Sequence, residues 1–372
     1  MPVAAITVGA IVVLAAVLGW VAWADRGSRT GTVAAAGVPA TGSTSGAGQQ
    51  HLSSDTAPDS GTDAALAALG RPVPIAAFVC PVATVEVGTA DELASALRAA
   101  RPGEVIGLKD GVYAGAFVTG ASGTAASPVL LCGGRGAVLE GKSLHTGYVL
   151  HFDKAAHWRV SGFTVRTAQK GVVVDAGNDI ELQNLLVEHI GDEAVHLRRD
   201  SSRNVVRGLT IRDTGLSTAE FGEGIYVGTA QSNWPTISGG QPDHSDGNFL
   251  LDNIISRATA ESIDIKEGTT GGVIAGNSFD GTGMTSARAW VNVKGNNWTI
   301  SHNRGANSPK DGFQTHVVLD GWGQANLFVG NVSHLGEGQG VGVYVQEALG
   351  NRVGCDNTTT GSARASNLTC TP

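Results

Sequence analysis

Three glutamates hold the same place ahead of three short segments: Glu193 lies two residues before Val195, Glu223 two before Ile225 and Glu261 two before Ile263. If those segments stack, their carboxylates meet and repel one another unless a cation sits among them. A hard, oxygen-preferring ion such as Ca2+ would suit such a column, and Arg288 or Lys266 could neutralise it instead. Each glutamate precedes an alternating strand: Val195-His196-Leu197-Arg198, Ile225-Tyr226-Val227-Gly228 and Ile263-Asp264-Ile265-Lys266. Val291-Asn292-Val293-Lys294 follows in the same style. With the aliphatic residues inside, alternation turns His196, Arg198, Tyr226, Asp264, Lys266, Asn292 and Lys294 outward. The coil after these adds His316, from Gln314-Thr315-His316. Carboxylates, ammonium groups, a phenol and imidazoles gathered on one face are the groups that move protons and hold charged ligands.

Plainer roles stand beside these. Asn292 and Lys294 fit an ordinary solvated face, Lys266 between Asp264 and Glu267 fits a surface ion pair, and the glutamates fit N-terminal turn residues. Trp234, Trp290, Trp298 and Trp322 are of a type that stacks on sugar rings, with corner packing as the alternative for Trp290 and Trp298. Asp243-His244-Ser245-Asp246 gathers acid, base and hydroxyl, but consecutive loop residues do not make a catalytic triad.

The elements that must position this face are legible from Gly147 onward. Strands such as Val149-Leu150-His151-Phe152, Val172-Val173-Val174-Asp175, Val317-Val318-Leu319-Asp320 and Val343-Tyr344-Val345-Gln346 recur every 23 to 38 residues or so. Others, including Trp158-Arg159-Val160 and Ile180-Glu181-Leu182, fall between them. Many are followed by a polar pair, as in Leu251-Asp252-Asn253, Ala275-Gly276-Asn277 and Val329-Gly330-Asn331. No long helix separates the strands, which excludes doubly wound and barrel α/β folds. Coils of this length that each bury one face on the next predict an all-β, right-handed parallel β-helix. A β-propeller, the alternative, needs a near-constant period of about 40 residues. A short N-terminal helix caps the solenoid, with Asp91 as N-cap, Leu93 and Leu97 at i, i+4, and Pro102-Gly103 beyond its end. The largest insertions, Ser217 to Glu223 and Thr229 to Gly247, flank the glutamate column and would wall a groove.

Composition sets the context. The chain has 372 residues, 42% of them hydrophobic, which supports a sizeable core, and its net charge of -8 argues against a nucleic-acid partner. Residues 1–24 read as a signal peptide ending at Ala22-Trp23-Ala24 or as a transmembrane anchor, the one segment with a membrane role. Residues 25–73 are an Ala/Gly/Ser/Thr linker without core-forming residues, and the β-helix domain is expected over 74–372. Four cysteines fall as a pair near each end, Cys80 with Cys132 and Cys355 with Cys370. This is the pattern of disulfides in an exported domain, with buried free thiols as the alternative. A secreted or surface-anchored monomer is expected.

The stretch from Asp91-Glu92-Leu93 through Arg101-Pro102-Gly103-Glu104-Val105-Ile106-Gly107-Leu108-Lys109-Asp110-Gly111-Val112-Tyr113 resembles the opening of the β-helical polysaccharide lyases related to chondroitinase B and alginate lyases, within the pectate lyase superfamily. There a capping helix leads to a first coil ending in Gly-x-Tyr. Glu261-Ser262-Ile263-Asp264-Ile265-Lys266, followed by Gly276-Asn277-Ser278-Phe279, is similar to the segment in which a calcium-binding Glu precedes a catalytic Lys by five residues. Arg288, about one coil later, matches the placement of a catalytic Arg. The resemblance implies Glu261 as metal ligand, Lys266 as base and Arg288 as its partner. The family's second acidic ligand falls here on Thr259 and its Asn ligand has no match, leaving Glu223 and Glu193 to compensate.

The expected chemistry is β-elimination on an acidic, uronate-containing polysaccharide. A cation on Glu193, Glu223 and Glu261, helped by Arg288, neutralises the substrate carboxylate. Lys266, its pKa lowered by Lys294, Arg288 and the metal, removes the adjacent proton, and Tyr226 or His316 protonates the leaving oxygen. Substrate binding falls to His196, Arg198, Asp264, Asn292, Lys294 and Trp234. The rival readings are a glycoside hydrolase using Asp264 with Glu261 or Asp192, and a non-catalytic carbohydrate-binding module.

Overall fold

The computed structural model describes residues 77–336, 340–362 and 364–372; the expected leader, linker and residues 74–76 lie outside the described residues. Among the described residues no helix is long and apolar enough to cross a membrane. Every paired strand runs parallel to its neighbour in the coils before and after it, which makes the chain a parallel β-helix. One face is an eleven-stranded sheet from Val85–Val87 to Arg352–Val353. The other two faces are joined by the long bent strands Ala137–Asp153 and Thr164–Asp175. Parallel connections of this kind take the right-handed course.

The interior holds the aliphatic residues of each strand together with Trp158, Trp290, Trp298, Phe152, Phe163, Phe313 and Phe328, all fully buried. Trp290 packs against Phe279 and Phe313 and donates its indole N–H to Ala306 O, so it belongs to the core. The polar pairs seen in the sequence have a structural purpose. Asn253, Asn277, Asn303, Asn331 and Asn357 stack inside one corner, each donating from Nδ2 to the next Oδ1 at 2.9–3.0 Å where a next one exists. The Oδ1 of each also accepts a backbone N–H from the preceding coil, so these buried amides are all paired. The preceding residue turns the corner with positive φ: 55° at Asp252, 69° at Gly276 and 63° at Gly330.

The capping helix spans Ala90–Ala99 and covers the first coil with Leu93 and Leu97. Its N-cap is Thr89 rather than Asp91: the Thr89 hydroxyl accepts from Glu92 N, and the Glu92 carboxylate accepts from Thr89 N, closing a capping box. Tyr113 of the Gly-x-Tyr is buried and donates to backbone carbonyls. Disulfides join Cys80 to Cys132 and Cys355 to Cys370, one near each end, as the spacing suggested.

One strand differs from expectation. The coil after Val291–Val293 is made by Phe313–Thr315, and Val317 to Asp320 lies beyond it in a loop with Val318 56% exposed. Gly312 accounts for the choice: a Cβ there would come within 2.5 Å of Gly342 O and 2.9 Å of the Trp290 ring, so close packing holds this segment in place. The apolar run Val317-Val318-Leu319 has the alternation of a strand but not the register.

Candidate active site

The register of successive coils builds the site. His196, Tyr226, Asp264, Asn292, Gln314 and Tyr344 stand on six adjacent strands as direct neighbours, all on the outer side of the sheet. Two positions further along each chain, Arg198, Gly228, Lys266, Lys294 and His316 form a second row beside the first. Gly228 is the gap in that row: its φ is 85°, and a Cβ would press to 3.3 Å from Lys266 Cβ and 2.6 Å from Thr269. Its lack of a side chain leaves room for Lys266 to lie over Tyr226.

Around Tyr226 the chain forms a cleft of about 590 Å³ lined by Lys170, Glu193, His196, Arg198, Glu223 and Lys266 among others. The two insertions form walls, through Glu220–Phe221 and Thr229–Ile237. The second wall is pinned from inside: Asp243 accepts from Arg199 N, Asp200 N, Thr229 Oγ1 and Ser245 Oγ at 2.6–2.9 Å. The Asp243-His244-Ser245-Asp246 sequence is therefore a loop anchor. Trp234 is buried in the same wall with its Nε1 donating to Thr229 O, so its ring is not free to stack on a sugar.

At the cleft floor the Lys266 ammonium lies 4.7 Å from the Tyr226 ring centre and 2.5 Å from Asp264 Oδ2. Lys294 holds the same carboxylate at 2.7 and 2.9 Å. Burial alone would raise the Asp264 pKa, but the two lysines outweigh it and keep the group ionised, below the ordinary carboxylate value. Burial alone would lower that of Lys266; Asp264, Tyr226 and Glu223 outweigh it and hold Lys266 well above the usual ammonium value. The lowered pKa expected for a lysine base is thus reversed, because the dominant neighbours are acidic rather than cationic. Burial, then Asp264 and Glu223, push the Tyr226 phenol upward despite Lys266.

Glu223, Glu261 and Asp264 bring carboxylate oxygens within 4.8 Å of one another. Glu193 stands apart from this cluster, bound by Lys170 Nζ and 3.5 Å from His196 Nδ1. Burial, then Asp264, raise the pKa values of Glu223 and Glu261. A buried Glu223 oxygen, Oε2, has no hydrogen-bond partner. Three carboxylates are the donor chemistry of Ca2+, yet both oxygens of Asp264 are claimed by lysines. An ion there would sit against two ammonium groups. The arrangement fits the lysines as counterions better than a metal.

The remaining expected residues are placed as follows. His196 is buried under the Tyr226 ring, centroids 4.4 Å apart, and donates from Nε2 to Gly228 O. Burial, then Lys170 and Arg198, hold it neutral. Arg198 is fixed by Asp175 at 2.6 and 3.2 Å and by the Tyr148 hydroxyl at 3.0 Å. Asn292 donates to Glu261 Oε1 at 3.2 Å and accepts from His316 Nδ1 at 2.8 Å. Burial, then Lys294, lower the His316 pKa to about 4, so above that it is neutral and is not an acid. Arg288 is not at the Tyr226–Lys266 pair: it lines a separate pocket with Lys310, Asn292, His316 and Tyr344. Lys170 escaped the sequence reading, although it holds two places before Val172 the position that Glu193 holds before Val195.

An alginate lyase from Paenibacillus sp. str. FPU-7 shares 35% sequence identity with this chain. The similarity spans 76% of this chain and 97% of that one, with a TM-score of 0.72. The chain belongs to the β-helical polysaccharide lyases. A pectate lyase, Pel9A, matches at 17% identity over 73% of each chain with a TM-score of 0.51, a likeness of fold alone. No family model matches the chain, and no curated protein matches it. As a lyase of this family the protein is an enzyme, which sets aside the non-catalytic module. The hydrolase pairing loses its support as well, since Asp264 carries two lysines.

Proposed function

We propose that the enzyme cleaves a uronate polysaccharide by β-elimination, with Tyr226 and Lys266 as the groups that exchange protons with the substrate. The observation that carries this reading is the Lys266 ammonium held over the Tyr226 ring at the floor of the cleft. Elimination removes the proton beside the sugar carboxylate, breaks the glycosidic C–O bond at the next carbon and leaves a double bond between the two. The base must accept a proton. Lys266 is held protonated by its acidic neighbours, whereas a Tyr226 phenolate would form directly beside a cation that stabilises it. Tyr226 is therefore assigned as base and Lys266 as acid. The phenol first releases its proton to solvent, and the phenolate beside the Lys266 ammonium then takes the proton next to the sugar carboxylate. Lys266 gives a proton to the leaving oxygen and regains one from water. His196 beneath the phenol ring positions it, and Arg198 and Lys170 supply positive charge for neighbouring carboxylates.

Alginate is the first substrate to test, because the relative at 35% identity is an alginate lyase. The disulfides and this kinship support an extracytoplasmic enzyme. Acidic polysaccharides are incubated with the purified protein while ultraviolet absorbance and total reducing ends are followed together. Equal growth of both supports elimination. Reducing ends without absorbance would make the enzyme a hydrolase and end this reading.

A further inference from the structure

We propose that Arg288, Lys310 and Tyr344 form a second carboxylate-binding site, which grips the acidic polysaccharide two or more sugar units away from the Tyr226–Lys266 pair. The proposal rests on the polyuronate reading above and adds a site to it. The pocket measures about 260 Å³ and shares no lining residue with the cleft around Tyr226. Asp264 and Lys294 line neither and stand between them.

The charge pattern separates Arg288 from the other cations of the face. Lys170 is bound to Glu193, Arg198 to Asp175, and Lys266 and Lys294 to Asp264. Among the described residues Arg288 makes no ion pair and is exposed at the pocket edge; the carboxylate that also lines the pocket, Glu261, accepts from Asn292 Nδ2 at 3.2 Å. Lys310 has one carboxylate near, Asp311 Oδ2 at 3.6 Å, and that group already accepts from Gln314 Nε2 at 2.7 Å and Val341 N at 2.8 Å. An unpaired guanidinium is the side chain best shaped to take a carboxylate through two parallel hydrogen bonds.

Tyr344 supplies the apolar side of the site. It is the outward residue of its strand and only partly buried, with Lys310 Nζ 5.6 Å from its ring centre and the His316 ring 6.2 Å away. An aromatic face next to two cations suits a sugar ring that carries a carboxylate. The register sets the distance. From Tyr226 to Tyr344 there are four coil steps, about 19 Å at a strand spacing of roughly 4.8 Å, while Arg288, just before the Val291–Val293 strand, belongs to a coil two steps away, about 10 Å. A linear chain lying along the solenoid axis would cross both pockets at once, and a short oligomer would fill only one.

The test compares wild type, Arg288→Ala, Lys310→Ala and the double variant on sodium alginate and on alginate oligomers of defined length. The KM for polymer should rise about tenfold or more in the double variant, with kcat changed less than about twofold. The penalty in kcat/KM should shrink as the oligomer becomes too short to span both pockets. A kcat loss of the same size on the shortest cleaved oligomer and on polymer would move Arg288 to the reaction centre and overturn the proposal. An unchanged KM at every length would overturn it as well. Failure of the wild type to cleave alginate would instead strike the substrate reading. The pocket is then judged by affinity electrophoresis in gels containing alginate or polygalacturonate: selective loss of retardation in the double variant supports it, and equal retardation rejects it.

Discussion

Asp264, in the Ile263–Ile265 strand, and Lys266, one residue beyond its end, both project to the outer face, and their carboxylate and ammonium meet at 2.5 Å. That contact changes the chemistry open to Lys266. A lysine so paired is a cation and a proton donor, not a resting base.

Replacing Lys266 separates these roles. Lys266→Ala removes the cation beside Tyr226 and should lower kcat by roughly 10²–10⁴-fold, the range for a positioned acid or base. Lys266→Arg keeps the charge that stabilises a phenolate but gives up its proton far less readily. It should retain more turnover than the alanine variant while remaining below wild type. Initial rates on the substrate found by screening decide this. An arginine variant no better than alanine would mean that Lys266 acts through proton transfer alone and not through its charge beside the phenolate.

Tyr226→Phe removes one hydroxyl and keeps the ring that packs on His196. Its melting temperature should stay close to wild type, while turnover should fall at least as far as in Lys266→Ala. The pH profile carries an independent signature. Burial and the nearby carboxylates raise the Tyr226 pKa above its ordinary value of 10.0, so the phenol is protonated at neutral pH and its ionised fraction grows as pH rises. The kcat/KM of the wild type should therefore climb with pH as far as the fold survives. A profile that falls on the alkaline side of neutrality while the protein stays folded would remove Tyr226 as the base.

Much of this arrangement is legible in the sequence, and what is not has a physical cause. Alternation of aliphatic and polar residues tells which side chains leave the core, so Tyr226, Asp264, Lys266 and Asn292 were found on one face. Alternation does not tell which of them touch. The expected metal column of Glu193, Glu223 and Glu261 is a column by register, yet Lys170 from the preceding coil takes Glu193, and Asp264 joins the other two. Exposure is harder to read, because His196 is covered by the Tyr226 ring of the next coil and Trp234 is buried within its own wall, and no local pattern records that cover. Register failed at Phe313, where a glycine contact outweighed an apolar run.

Chelation tests the counterion assignment. If Lys266 and Lys294 balance Glu223, Glu261 and Asp264, exhaustive treatment with a chelator should leave both melting temperature and initial rate unchanged. A bound ion stabilises the native state by mass action, so a clear drop in melting temperature that added Ca2+ restores would show that an ion, not the lysine pair, holds the cluster together.

Asp264→Asn addresses the centre of the network. Asp264 is 1% exposed and neutralises two lysines, so the near-isosteric amide leaves two largely buried ammonium groups facing Glu223 and Glu261 alone. Breaking a buried pair by removing one partner costs about 3–5 kcal/mol, and the variant should unfold at correspondingly lower denaturant. The pH dependence gives the sign. The folded-state pKa of Asp264 lies below its ordinary value of 3.8, so its contribution is present above about that pH and is lost as pH falls through the folded value. The difference in unfolding free energy between wild type and variant should then be largest near neutrality and shrink towards strongly acidic pH. Urea denaturation at a series of pH values measures it. A difference that stayed constant into strong acid would mean that the stabilisation by Asp264 comes from its shape rather than its charge.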